Sequence, residues 1–467
     1  MFCIFLRHIV FLLLLPCSSI LQAASIVTAG ADNYRELLSR LEPGDTLLLQ
    51  PGVYKKGLPV HQLQGNKDKP ITIMGPTNGP LPIFSARPGH NTISIVNASY
   101  IVIRNLELDW QGIAVDGVKC EGHADWAHHI TLENLVIKGH GNNQQTVGIS
   151  TKCPAWNWVI RNNTIEGAGT GIYLGNSNGN APFVAGLIEH NLIVDTLGYN
   201  LQIKHQNARP EIAGMPSEPS VTIIRHNVFS KEKGAATGPF ARPNVLVGHW
   251  PVKGNGSKDT YEIYGNFFHQ NPTEALFQGE GNIALYNNLF VNGHGDAIRI
   301  QPHNDIPRAI HVFYNTVITP ETGISIISGQ GSENYVQHVS ANMIFASKPI
   351  AAKSQESNTI GKREDAVDHL LKPFAPLGAM DLYPKVKNMK FQPVITSNFR
   401  IFKDWDLDFN KRKRNEHSRG AYGGEGINPG WLPQIERKPY EEIKVIKFWL
   451  GASNFHEVLE EARDAPS

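Results

Sequence analysis

One short pattern limits what this chain can fold into more than any other feature: an asparagine set between two apolar runs, repeated along most of its length. It reads VIRNLEL at Asn105, TLENLVI at Asn134, IRNNTIE at Asn163, IEHNLIV at Asn191, IRHNVFS at Asn227, IYGNFFH at Asn266, LYNNLFV at Asn288, VFYNTVI at Asn315 and VSANMIF at Asn342. Successive asparagines lie 29, 29, 28, 36, 39, 22, 27 and 27 residues apart. Propeller blades need about 40 to 50 residues, and leucine-rich units carry a leucine pattern that is missing here. Repeats this short suit the coils of a parallel β-helix. No coil can bury its own apolar face, so neighbours stack and share one core of Ile, Val and Leu. Asparagine tolerates a left-handed backbone, and its amide can bond the asparagine of the next coil. These residues are therefore expected to form a structural ladder at the bend and to have no catalytic part.

The two ends fit the same architecture. NYRELLSRLEPGDTLLLQPGVY (33–54) reads as a short amphipathic helix, a turn at Pro43-Gly44-Asp45 and a first strand. Such a helix would cap the open end of a solenoid. Coils then run from KPITIMGP and NTISIVN through Phe345. Residues 347–395 break the period with an expected helix, KREDAVDHLLKPF, and much polar sequence, which predicts a lid or lateral cover. A Pro-rich connector and a second short helix, NFHEVLEEARDAP, follow Gly426, and the charge run Lys411 to Arg414 reads as solvated surface.

The Leu-x-Pro-Gly-Asp opening, the asparagine coils and the tail DWDLDFNKRKRNEHSRGAYGG together resemble secreted right-handed parallel β-helix proteins of the pectate-lyase-like superfamily, over residues 27 to 424. The resemblance implies an all-β, right-handed parallel β-helix at 25–424, between a signal segment at 1–24 and an extension at 425–467. It is looser for function, because that superfamily holds polysaccharide lyases, uronate epimerases, glycoside hydrolases and proteins without known activity.

Arg7 and His8 precede an apolar run from Ile9 to Leu15 and small residues up to Ala23 and Ala24, the layout of a secretory signal. Export to the periplasm or the extracellular space is expected, without a membrane span, since no stretch approaches the roughly 20 apolar residues required. Cys17 follows Leu14-Leu15-Pro16, a poor lipoprotein signal because of the proline. Outside the signal only Cys120 and Cys153 remain, 33 residues apart, open to either one disulfide or two buried thiols. With 43 basic and 42 acidic residues, the chain as a whole has no field to attract nucleic acid or membranes. A monomer is expected, and any pull on an acidic ligand must be local.

That local charge sits in GYNLQIKHQNARPE (198–211), where Lys204, His205, Gln206 and Arg209 follow a short strand. Stacking the related strands by eye puts GIYLGNS, NLQIKHQ, NVLVGHW, ALFQGEG, AIRIQPH and GISIISG in register. Alternation then predicts Leu276 in the core and an outward row of Tyr173, Gln202, Leu246, Phe277 and Arg299. Lys204 falls in a second outward row between glycines, with Gln301 further along. Past it stack His205, His249 and Glu280, then Gln206, Trp250 and His303. Trp250, Phe277 and Tyr173 offer flat faces for sugar rings, while Arg209 and Arg242, on the two longest loops, could join Lys204.

Lysine, arginine and histidine in this number suit one chemistry best. β-Elimination from a uronic acid needs a cation, or bound calcium, at the C6 carboxylate and a base for the C5 proton. Lys204 or His205 is the expected base, Arg209 the carboxylate clamp and His249 the partner or acid. Gln202, Gln206, Trp250, Phe277, Glu280, Arg299, Gln301, His303, Arg242 and Tyr173 are expected to bind an acidic polysaccharide. A C5 epimerase would need the same groups, and a non-catalytic β-helix could bind or guide an acidic exopolysaccharide. Hydrolysis ranks lower, because paired carboxylates about 5 to 10 Å apart are not evident. Glu280, Asn282, Asp296 and Asp305 offer oxygens for calcium without a metal-specific spacing.

Overall fold

The computed structural model describes residues 24–141, 143–386 and 392–439. Nearly all of the signal segment, and the helix expected at 454–466, lie outside the described residues. Short strands alternate among three sheets in a fixed order, so each coil contributes to the first, the second and then the third. The first sheet runs from Ile26–Ala29 to Gln355–Glu356, the second from Gly52–Tyr54 to Thr359–Gly361, and the third from Leu58–His61 to Lys348–Ala351. Strand neighbours within them pair in parallel. This is the right-handed parallel β-helix expected from the repeat.

The core is a set of stacked columns. In the third sheet Ile149, Ile172, Leu201, Val245, Phe277, Ile298 and Ile324 are consecutive register partners with no exposed surface. Burying an aliphatic side chain this fully contributes roughly 1.5–3 kcal/mol, so each column stabilises every coil it joins. Cys120 and Cys153 are both in this core and form a disulfide, with Cα atoms 6.0 Å apart.

The asparagine ladder is present, with a register the motif did not reveal. From Asn163 each amide donates to the next coil's side-chain oxygen through Asn191, Asn227, Asn266, Asn288, Asn315 and Asn342 to Asn358, at 2.9 to 3.0 Å. The left-handed residue is not the ladder asparagine but the one before it: Asn162, His190, His226, Gly265, Asn287, Tyr314, Ala341 and Ser357 all have φ between 53° and 66°. Asn105 and Asn134 occupy that left-handed position themselves, and the ladder place beside them holds the buried Leu106 and Leu135.

Other boundaries shift too. A strand, Ile26–Ala29, precedes the short helix Tyr34–Leu38, whose Tyr34 and Leu38 pack into the main core. The coils do not stop at Phe345: Lys348–Ala351, Gln355–Glu356 and Thr359–Gly361 make one more turn. Among the described residues of the expected insertion only Arg363–Asp365 and Ala366–His369 are helical, followed by an antiparallel pair, Leu370–Lys372 with Asp381–Pro384. Arg414 is no solvated charge. Its guanidinium donates to Asn287 Oδ1 at 2.6 Å and to the carbonyls of Gly420, Ala421 and Tyr422, and it lies 3.9 Å from the Tyr314 ring centre.

The described residues after the last coil form an apron. Leu370, Leu382, Phe409 and Tyr422 cover apolar residues on the outer face of the second sheet, and Val394, Phe399 and Phe402 cover Tyr264, Tyr286 and Phe313 on the first. On the third sheet Lys119, Lys152, Tyr173, Lys204 and Arg299 stay partly exposed. That face is the one available to a ligand.

Candidate functional site

Two outward rows define the open face. One runs Ser94, Lys119, Ser150, Tyr173, Gln202, Leu246, Gln278 and Arg299. The other lies just past the strand ends and runs Glu121, Lys152, Gly175, Lys204, Gly248, Glu280 and Gln301. Lys152 follows Ile149 by the same three residues that separate Lys204 from Leu201, and those two partners sit in one core column. Two coils therefore separate the lysines, about 10 Å at ~4.8 Å per coil. Gly175 occupies the coil between them at φ 89°, and a Cβ there would come 3.3 Å from the Lys204 Cβ. The glycine keeps the floor low between two cations.

Burial reshapes the charge of this face. It pushes the Lys152 amine down to about 8, with Lys119 and Lys204 repelling its proton and Asp116 pulling the other way. Lys152 Nζ stands 3.3 Å above the centre of the Tyr173 ring, a cation–π contact that favours the charged form. Burial likewise lowers the Lys204 amine, opposed by Glu280, and pushes the Tyr173 phenol up to about 12. Asp116 is a fixed counterion: it accepts from the Val147 N–H at 2.9 Å and the Ser150 hydroxyl at 3.0 Å, and lies 3.3 Å from Lys119 Nζ.

The two histidines are brought together as expected. The His205 and His249 rings stack with centroids 5.4 Å apart. His249 Nδ1 lies 2.7 Å from the Trp250 carbonyl, which can only accept, so Nδ1 carries a proton and Nε2 is the nitrogen left to face a ligand. Burial, then Lys204 and His249, hold His205 below the usual histidine range. Its Nδ1 is buried without a partner.

Several expected site residues lie elsewhere. Arg209 does not reach Lys204: its guanidinium is buried against Asp259 at 2.5 Å and donates to the Pro216 carbonyl at 2.9 Å, pinning the loop between coils. Arg242 bonds the carbonyls of its own loop, Pro239 and Ala241, and faces Tyr199. Phe277 points inward, because Val245 pairs with Phe277 and not with Leu276. Gln278 takes the outward place, and Gly279 has no room for a side chain, since its Cβ would meet Ile283 Cδ1 at 2.6 Å. The sequence stacking slipped by one residue there, which flips every side chain to the other face.

Trp250 is fully buried and stacks on Tyr261 at 4.2 Å, so it is no sugar platform. Gln206 is buried and donates to the Phe183 carbonyl at 2.9 Å. Glu280 belongs to the Lys204 row and not to the histidines', and it holds a turn: its Oε2 accepts from the N–H groups of His303, Asn304 and Asp305 at 2.8 to 2.9 Å. Gln202 lies in the floor beside Tyr173. Arg299, 3.6 Å from Asp296, and the partly or fully exposed Gln301 and His303 sit further along the face.

The four oxygens considered for calcium do not converge. Asp305 pairs with Arg308 at 2.5 Å, Asp296 accepts from the Thr322 N–H, and the Asn282 amide donates to the Ser257 and Asp259 carbonyls. Among the described residues no three His, Cys, Asp or Glu are grouped to hold a metal. None of their helices is long and apolar enough to cross a membrane.

Sequence reasoning missed Asp116, Lys119 and Lys152. The signal was available: carrying the strand stacking one coil further towards the N-terminus puts Lys152 in the Lys204 row.

No family model matches the chain, and no curated protein matches it either. Solved structures similar to it include an alginate lyase from Paenibacillus sp. str. FPU-7, at 15% identity over 72% of this chain and 98% of that one, with a TM-score of 0.32. A second is the PL6 family polysaccharide lyase Pedsa3628 from Pseudopedobacter saltans, at 13% identity over 73% and 94%, TM-score 0.39. A third is the GH136 lacto-N-biosidase from Eubacterium ramulus, at 11% identity over 72% and 68%, TM-score 0.39. Likenesses this distant name no activity for this chain.

Proposed function

We propose that the protein is an exported carbohydrate-active β-helix that cleaves a uronic-acid polysaccharide by β-elimination on the open face of its third sheet. The observation that carries this reading is the pairing of Lys152 and Lys204 at one register position across Gly175, both with amines destabilised in the charged form. Lys204 and Lys119 meet the C6 carboxylate and make the C5 proton acidic. The Lys152 amine accepts that proton, the released electron pair forms the C4–C5 double bond, and the C4–O bond breaks. Tyr173, whose phenol stays protonated at neutral pH, returns a proton to the leaving oxygen. His205 and His249 flank Lys204 and offer ring nitrogens for hydrogen bonds to the neighbouring sugar. The convergence of shifted groups in one stretch of the face favours an enzyme over an evenly spread binding surface. The disulfide between Cys120 and Cys153 supports export to an oxidising compartment.

The test is the ultraviolet absorbance of the unsaturated uronate, followed while purified protein is incubated with alginate, pectate and other acidic glycans. Product that disappears in Lys152→Ala and Lys204→Ala is expected. Absence of product from every glycan removes the elimination reading. Exchange of the C5 proton with solvent deuterium, without product, would mark a C5 epimerase instead.

A further inference from the structure

The open face deepens towards the N-terminus. A pocket of about 430 Å³ there is walled by Arg35, Lys56, Arg87, His61 and His123, with Glu121 as its carboxylate. A hollow of about 310 Å³ shares Gly89, His90 and Asn91 with it and continues to Asp116 and Lys119. The pocket therefore leads along the face as far as Lys119, one coil from Lys152.

Its one carboxylate, Glu121, is engaged by neutral donors and forms no ion pair with its cations. Glu121 Oε1 accepts from Asn91 Nδ2 at 2.9 Å and from the Ser94 hydroxyl at 2.8 Å. Among the described residues no carboxylate forms an ion pair with Arg35, Lys56 or Arg87. Arg87 Nε is buried and has no acceptor. A buried donor left unmatched is unfavourable, and a ligand oxygen would satisfy it.

The walls are held in place. The Tyr34 hydroxyl donates to the Gly57 carbonyl at 2.5 Å and ties the helix bearing Arg35 to the residue after Lys56. Gly57 has φ 67°, and a Cβ there would lie 3.1 Å from the Thr92 carbonyl and 3.7 Å from Arg87 Nε. His61 bonds Ser94 Oγ through Nε2 at 2.9 Å, and burial holds its ring below the usual histidine range, so it adds a hydrogen bond more than charge.

We propose that this pocket binds a carboxylate of the same acidic polysaccharide, as a second anion site remote from Lys204. This rests on reading the groove as a glycan site. Five coil steps separate the two, from Leu58–His61 through Ile93, Val118, Ile149 and Ile172 to Leu201, or about 24 Å at ~4.8 Å each. Arginine offers the paired N–H fork that fits a carboxylate. A chain long enough to touch both sites gains from the second contact without a second association cost. Long chains are therefore held more tightly than short ones.

Arginine Nε–H resonances of the full chain, followed during titration with oligomannuronate and oligogalacturonate, report on the pocket directly. A saturable shift of the Arg87 signal is expected, retained in Lys204→Ala and weakened at least about tenfold in the double variant Arg35→Ala, Lys56→Ala. Both substituted residues of the double variant are exposed, so the fold survives their loss. An equal shift with carboxyl-reduced oligosaccharide, or no shift with any length of either acid, overturns the proposal. The two readings fail separately. An Arg87 shift without ultraviolet product removes elimination and leaves the pocket, whereas product without an Arg87 shift removes the pocket and leaves elimination.

Discussion

Lys152 Nζ sits 3.3 Å over the ring of Tyr173, a residue of the next coil, and burial holds its amine at about 8. A lysine in this position is partly neutral near physiological pH, where an exposed one is almost wholly charged. If Lys152 is the base, only its neutral form is productive, so kcat/KM rises with pH through about 8. Lys152→Met should lower the rate at least about 100-fold, the usual contribution of a positioned general base. Lys119 is one of the charges that depress Lys152, so Lys119→Ala should move the rising limb to higher pH. A limb that stays put or moves down would take Lys152 out of the base role.

The inward setting of Phe277 gives a second test. Phe277→Ala should destabilise the fold by about 3–5 kcal/mol, the range for a buried phenylalanine, while Gln278→Ala should change stability by less than about 0.5 kcal/mol. Urea denaturation of both variants measures this. The reverse order would restore the outward Phe277 expected from the strand pattern.

The ladder offset makes a third. Asn266 donates to Asn288 Oδ1 and to the carbonyls of Ile224 and Tyr264, and accepts from both nitrogens of Asn227. Asn266→Ala strands buried donors and acceptors on two coils and should cost about 3 kcal/mol or more. The Asn105 side chain makes only long contacts, 3.3 to 3.4 Å: its amide donates to the Gly75 and Pro76 carbonyls and its Oδ1 accepts from Asn134 Nδ2. Asn105→Ala should cost about 1–2 kcal/mol, chiefly for alanine in a left-handed backbone. Equal losses in chemical denaturation would contradict the offset.

Arg209 should prove structural. Breaking a buried ion pair by removing one partner costs about 3–5 kcal/mol, so Arg209→Met is expected to lower the denaturation midpoint strongly. Its rate per folded molecule, measured well below that midpoint, should match the parent's. A stable but inactive variant would return Arg209 to the carboxylate clamp.

The β-helix was legible because stacking forces a repeat: a bend every 22 to 39 residues, an asparagine near each, and apolar runs too short for anything but coils. Lys204, His205 and His249 were legible as neighbours for the same reason, since a strand-end residue keeps its place from coil to coil. ALFQGEG resisted the method because Leu276 and Phe277 are both apolar, so alternation alone allows either parity. Volume decided it, with Phe277 filling the space that Gly279 leaves. Arg209 misled because five residues of sequence separate it from Lys204, while its loop carries it to Asp259.

By itself the sequence determined the architecture, the approximate bends, most of the core columns and the neighbourhood of Lys204, His205 and His249, because those depend on local pattern and on a spacing that recurs. Only the tertiary structure decided which face of the solenoid is open and which cations share it. The apron formed by residues 366–386 and 392–422 covers the first two sheets with Phe399, Phe402, Phe409 and Tyr422, and no periodicity announces where a non-repeating tail will lie. Lys152 and Lys204, fifty-two residues apart in the chain, meet across Gly175 because parallel coils stack at about 4.8 Å. That short spacing turns separate strand ends into one groove, and burial within it sets their charge.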